Sequence, residues 1–189
     1  MLPYYWFDGV SVNYRRIAVT GSRGWGDETV LPRDQARAEV QLLYSTLDGF
    51  LADILVRYET ARTDPTQMVV IHGAAARGAD KLVSDWMKTP LPTVGLSAGL
   101  LAVTEYPADW SLGRSAGYQR NAFMAKTLDP TSDDACIAFW DGQSKGTKHM
   151  IDCCRKAGVM TYIVGRATET ESYDQIARAL NSLDDELGA

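Results

Sequence analysis

Two hydrophobic periods take turns along this chain. Short apolar runs occur at 16–21, 68–72, 101–106, 135–140 and 159–164, and each is closed by glycine or a polar turn, as expected of strands buried on both faces. Between them the apolar positions recur at steps of three or four. From about Leu31, with Pro32 tolerated in the first turn, Ala36, Val40, Leu43, Leu47, Leu51, Ile54 and Tyr58 predict one long amphipathic helix that ends before Thr63-Asp64-Pro65-Thr66. A second helix uses Ala79, Leu82, Val83 and Trp86, a third runs over 117–128 and a fourth over 146–157, where Gly158 closes it. A last helix is predicted from Tyr173, Ile176, Ala177, Leu180, Leu183 and Leu187. Strands alternating with helices require right-handed crossovers, so the pattern predicts a three-layer α/β sandwich around a mostly parallel sheet of about five strands.

Two segments stand outside this rhythm. Residues 1–15 carry Tyr4, Tyr5, Trp6 and Phe7 in a row, which reads as an added edge strand, a packing arm or a subunit contact. Lys88 to Gly99, with Pro90, Pro92, Gly95 and Gly99, reads as a surface excursion. Residues 16–189 are expected to form a single domain, since 189 residues suffice for one sizeable core and no internal repeat is visible.

Composition narrows the partners. A formal charge of −5 argues against extended nonspecific contact with nucleic acid, which needs many cations on phosphates, but leaves room for a compact phosphorylated ligand. There is no apolar run long enough to span a bilayer and no signal-peptide pattern, so a cytoplasmic protein without membrane partners is expected. The three cysteines (Cys136, Cys153, Cys154) and two histidines (His72, His149) have neither disulfide-framework nor metal-ligand spacing, and no metal or cofactor is indicated. Buried thiols are the simpler expectation for the cysteines.

Candidate chemistry lies where strands give way to helices. Four turns of small residues occupy such places: Gly21-Ser22-Arg23-Gly24-Trp25; Gly73-Ala74 through Arg77-Gly78-Ala79-Asp80; Gln119-Arg120-Asn121; and Asp141-Gly142-Gln143-Ser144-Lys145-Gly146-Thr147. In an open parallel sheet these turns share the edge at the strands' carboxyl ends, where ligands bind. The glycines of the first turn lack G-x-G-x-x-G spacing, and the fourth scrambles the order of a P-loop, so neither an ordinary dinucleotide fold nor that route of ATP hydrolysis is expected. What remains is a general anion site of unpaired N–H groups at helix starts, with Arg23, Arg77 and Arg120 in or beside the turns. The bland alternative is tight turns that need glycine, with surface arginines nearby. Asp80 and Asp141 are weighed as caps against catalysis. Trp25, Trp110 and Trp140 are weighed as packing against base stacking, with Trp25 the strongest stacking candidate because it sits in the glycine turn.

Taken in order, Arg16 through Trp25, His72-Gly73 through Asp80-Lys81-Leu82, Tyr118-Gln119-Arg120-Asn121-Ala122, and Asp141-Gly142 through Gly146-Thr147 resemble the motifs of the SLOG superfamily, in particular its YspA-type, cpYpsA-related branch. This Rossmann-like group includes the DprA DNA-processing proteins and the LOG phosphoribohydrolases. The resemblance implies a nucleotide-related ligand over the strand ends, bound or sensed, with LOG-like N-glycosidic hydrolysis or DprA-like binding of single-stranded nucleic acid as alternatives. It implies an active-site arginine at Arg120. The glutamate that LOG enzymes carry three residues after the threonine is here Met150, which cannot exchange a proton, leaving Asp141 or another acid as the substitute. The aromatic N-terminus and the family together point to a homodimer.

Overall fold

The computed structural model describes residues 13–61, 66–89 and 101–166. The aromatic cluster at 4–7, most of the excursion at 88–99 and the last predicted helix lie outside the described residues.

Ten elements follow one another: β1 (Asn13–Gly21), α1 (Arg33–Ala61), β2 (Thr66–His72), α2 (Ala79–Trp86), β3 (Leu101–Glu105), a 3-10 helix (Trp110–Ser115), α3 (Ala116–Lys126), β4 (Ala135–Trp140), α4 (Lys145–Lys156) and β5 (Met160–Gly165). The strands lie in the order β3-β2-β1-β4-β5 and every neighbouring pair is parallel. The expectation of a mostly parallel sheet is thus sharpened to an all-parallel one among the described residues.

Strand alternation sorts the core into two layers. Ile17 and Val19 of β1, with Ala135, Ile137 and Phe139 of β4, face Leu43, Leu47 and Leu51 of α1 and Val83 and Trp86 of α2. Ala18 and Cys136 point the other way, onto Met124 and Ala125 of α3 and Met150 and Cys154 of α4. The stripe of α1 is broader than its spacing suggested, since Leu42 and Phe50 are buried as well. Cys136 and Cys154 behave as core thiols: the hydrogen bond that Cys136 donates to Cys154, together with burial, pushes the Cys136 thiol well above its ordinary value. Among the described residues no helix is long and apolar enough to cross a membrane.

The sheet order creates the site. The chain winds outward from β1 through β2 to β3, then returns to place β4 on the other side of β1. Helices therefore leave β1 and β4 on opposite faces, and a crevice opens between their carboxyl ends.

Candidate functional site

The first turn is tied down on three sides. At its base a Cβ on Gly21 would overlap Ala79 and come within 2.9 Å of the Phe139 carbonyl, so the chain passes β4 and α2 only without a side chain. Ser22 is buried; its N–H donates to the Phe139 carbonyl (3.0 Å) and its hydroxyl accepts from the Asp141 N–H (3.1 Å), coupling the first turn to the fourth. From α1, the buried Glu39 carboxylate accepts from the Gly26 N–H (2.7 Å) and from Arg166 Nε (2.6 Å), while Arg166 Nη2 donates to the Gly24 carbonyl (3.0 Å).

Trp25 belongs to that anchor, which corrects its reading as the leading stacking residue. It is 1% exposed, its indole N–H donates to the Glu39 carbonyl (3.1 Å), and its ring packs 5.4 Å from Phe139. A large apolar ring next to a strand end is drawn under the sheet's edge by the hydrophobic effect and leaves no face for a ligand. Arg23, between these anchors, is exposed, and its guanidinium has no partner among the described residues.

The second turn is organised by two buried polar side chains. His72, fully buried at the end of β2, accepts the Ala74 N–H on Nδ1 (3.2 Å), so its proton sits on Nε2, which faces Glu105 Oε1 at 3.6 Å. Asp80, buried in the first turn of α2, accepts the Ala75 N–H (3.0 Å). Between them Ala74 adopts φ 53°, a left-handed conformation that costs a non-glycine residue about 1–2 kcal/mol. Burial lowers the His72 pKa, outweighing the nearby Asp80 and Glu105 charges; burial likewise raises that of Asp80, against the Ala75 N–H and Arg120.

A histidine whose folded pKa lies below its ordinary value of about 6.5 contributes stability above that pH and loses it as pH falls through the folded value. Asp80, with a raised pKa, acts in the opposite sense, beginning near the ordinary carboxylate range. The unfolding free energy is therefore expected to fall below pH 6.5 by up to about 1.4 kcal/mol per pH unit. Urea midpoints from pH 7.5 to 5 check it: this slope should be absent in His72→Asn, and an unchanged slope would assign it to other groups.

Gln119-Arg120-Asn121, expected as a third turn, instead lies inside α3, and from there Arg120 joins the other turns. One amino group donates to the Gly73 and Tyr106 carbonyls (the latter at 3.1 Å), and Nε donates to Asn121 Oδ1 (2.9 Å); a Cβ on Gly73 would overlap the guanidinium. Asn121, buried, donates onward to the Gly146 carbonyl (2.9 Å), so α3 carries the second turn's geometry to the start of α4. Burial lowers the Arg120 pKa, Asp80 opposes that, and Arg23 adds to it. Arg23 and Arg120 are therefore close enough to repel.

Asp141 is a turn former. Its Oδ1 accepts the Gln143 and Ser144 N–H groups (3.0 and 2.8 Å). Burial works to raise its pKa, but these bonds, Ser22 and Arg166 together hold it below the ordinary carboxylate value. Ser144 then caps α4, accepting from the Thr147 N–H and hydroxyl (3.4 and 3.0 Å). At Gly146 nothing lies within 4 Å of a Cβ position, so the backbone is open on that side.

These turns surround a cavity of about 860 Å³, within the size range of small-molecule sites. Of the residues expected from sequence, Gly21, Arg23, Gly73, Ala74, Arg77, Asp80, Arg120, Asn121, Ser144, Gly146 and Thr147 line it. Ser22, Gly24, Trp25, Gly78, Asp141 and Gly142 do not. Sequence reasoning passed over Arg114, named Tyr118 only as part of the third motif and ranked Trp110 low, yet all three line the cavity from the 3-10 helix and α3. Their signal was weak because that helix follows an irregular turn with no glycine motif. Four arginines (23, 77, 114, 120) thus line a cavity in which, among the described residues, Asp80 is the one acidic lining group. Met150 is absent from the lining: it is fully buried in the layer beneath.

The family described as the YspA, cpYpsA-related SLOG family matches residues 15–113, covering the first two turns; the third and fourth lie beyond the matched range. The chain is also 34% identical over 148 residues to the Gene 61 protein of Mycobacterium phage D29, covering 77% of this chain and 92% of that protein. No solved structure matches it.

Proposed function

Because this chain belongs to the YspA, cpYpsA-related SLOG family, we propose that it binds or senses a phosphorylated, nucleotide-related ligand over the carboxyl ends of its strands. The observation that carries this is Arg23: an exposed guanidinium without a partner among the described residues, held on a rigid turn, beside Arg120, on the wall of a cavity lined by four arginines and one buried acid. Like charges held together in a protein of net charge −5 favour an anion between them. The first turn of α4, where Gly146 leaves the backbone open, adds N–H groups and a favourable dipole.

Binding is favoured over N-glycosidic hydrolysis because the available carboxylates are committed elsewhere. Asp141 is engaged in its turn, Asp80 accepts the Ala75 N–H, and position 150 is buried methionine. The acidic total charge weighs against single-stranded nucleic acid as the ligand.

Arg23→Ala is expected to weaken a nucleoside 5′-monophosphate by about 1.5–3 kcal/mol, the worth of a hydrogen bond to a charged group, and to leave the matching nucleoside unaffected. Calorimetry with the two ligands measures this. Equal affinity of the unmodified protein for nucleotide and nucleoside would refute a phosphate site. Arg120→Ala is a poorer probe, because it also releases the Gly73 and Tyr106 carbonyls and so lowers stability along with affinity.

A further inference from the structure

Four tryptophans lie among the described residues, and three are placed as core residues place them. Trp25 and Trp86 are each 1% exposed, Trp140 is half-buried, and their indole N–H groups donate to the Glu39 carbonyl, the Asp48 carboxylate and the Ser144 carbonyl respectively. Trp110 differs in every respect. It is 60% exposed, its N–H has no partner among the described residues, and it lines the same cavity as Arg23 and Arg120. Leaving the largest apolar side chain in water forgoes the stabilisation that its burial would bring, so folding does not account for its position.

The local structure presents this ring. After β3, Asp109 caps the 3-10 helix by accepting the Ser111 N–H (3.0 Å) and hydroxyl (2.6 Å), which fixes the backbone from which Trp110 projects. The indole rests against the start of α3 at Gly117, where a Cβ would stand 3.7 Å from its Cη2. Beside it Tyr118, itself held edge-on to His149 at 4.6 Å, and Arg114 complete the rim. An exposed aromatic ring whose Cη2 edge lies beside Gly117, on a cavity wall that also carries Arg114 and Tyr118, suits a planar, π-rich group, and base stacking is tolerant of which base is offered.

We infer that Trp110 is a stacking platform for the base of the nucleotide, an inference that rests on the ligand reading above and assigns the base end of the same cavity. The arginine-lined turns take the phosphate, and the indole takes the base. Purine nucleotides, with the larger ring, should bind more tightly than pyrimidine ones.

The test is calorimetry, with tryptophan fluorescence alongside, using adenosine 5′-monophosphate, adenosine and ribose 5-phosphate on the unmodified protein, Trp110→Ala and Trp110→Phe. Because Trp110 is exposed, both variants should fold. Trp110→Ala is expected to weaken the monophosphate roughly 5- to 150-fold, the equivalent of about 1–3 kcal/mol per stacked base. Ribose 5-phosphate should be unaffected, and Phe should restore most of the loss. Two results would overturn the inference while leaving the phosphate site standing: equal binding of monophosphate and ribose 5-phosphate by the unmodified protein, or an unchanged monophosphate affinity in Trp110→Ala. If adenosine binds as tightly as its monophosphate and Trp110→Ala weakens both, the platform stands and the phosphate reading falls. Binding of none of the three ligands at millimolar concentration would overturn both.

Discussion

Met150→Glu is expected to destabilise the protein by about 3–4 kcal/mol at neutral pH instead of conferring hydrolysis. The estimate follows from burial: position 150 is fully buried among Ala18, Ile71, Met124 and Cys154, with no cation in that cluster to pair with a carboxylate. A glutamate there has its pKa raised by about 3–5, to above about 7, so at pH 7 the penalty is set by the roughly 2.7 pH units above its ordinary value, each worth about 1.36 kcal/mol. The direction with pH is fixed by linkage. A folded pKa above the ordinary value of about 4.3 means that the charge penalty is absent below pH 4, grows as pH rises toward the folded value and is constant above it. Urea midpoints of the variant and the parent should therefore diverge from pH 4 to pH 8, and Met150→Leu, which preserves volume and polarity, should cost less than about 1.5 kcal/mol. A Met150→Glu protein of parental stability at pH 7 that releases free base from a nucleotide would mean that this position opens onto the cavity and that the LOG chemistry needs only its acid.

The second large effect is expected at Gly78, which does not line the cavity. Its φ of 73° and ψ of −152° lie in a region reserved for glycine, at a cost of about 1–3 kcal/mol for any other residue. A Cβ there would also overlap the Ser22 carbonyl oxygen and stand 2.7 Å from the Arg23 Cα, backbone atoms that the Phe139 and Asp141 hydrogen bonds hold in place. Overpacking of that kind adds about 1–3 kcal/mol. Gly78→Ala should thus lose about 2–6 kcal/mol in a denaturant titration, and, where enough folded protein remains, bind the nucleotide more weakly because the first turn and Arg23 are displaced. Gly142 is the comparison, with φ 79° but nothing within 4 Å of a Cβ, so Gly142→Ala should show the conformational cost alone. Equal losses at the two positions would remove the contact between the first and second turns from the explanation.

Much of the site was legible because strand-to-helix turns in a parallel sheet must emerge on one edge, whatever their side chains do. Arg23 and Gly146 could be placed together on that ground alone, whereas Arg120 and Asn121 reach the same edge from within α3. The roles within the set were less legible. Glu39 and Arg166 are 127 positions apart in sequence, and no spacing rule pairs them, yet together they hold the first turn. Asp141 and Asp80 carry the same side chain: one is fixed in an Asx turn with a lowered pKa, the other is buried beside His72 and Arg120 with a raised one.

The order of short apolar runs and longer helical stripes was enough, by itself, to determine the parallel α/β sandwich, the approximate bounds of its described strands and helices, and the edge on which its strand-to-helix turns gather. These follow from local periodicity and from the handedness of crossovers, which act on every chain alike. Which aromatic meets water and which is buried was decided only by the tertiary structure. Trp25 sits in the glycine turn and is drawn into the core against Phe139, whereas Trp110, in an irregular connection without a motif, is left on the cavity wall. Met150 likewise falls at a motif position and is buried, because α4 turns that face to the sheet. Burial depends on what packs opposite a residue, and that partner comes from a distant part of the chain.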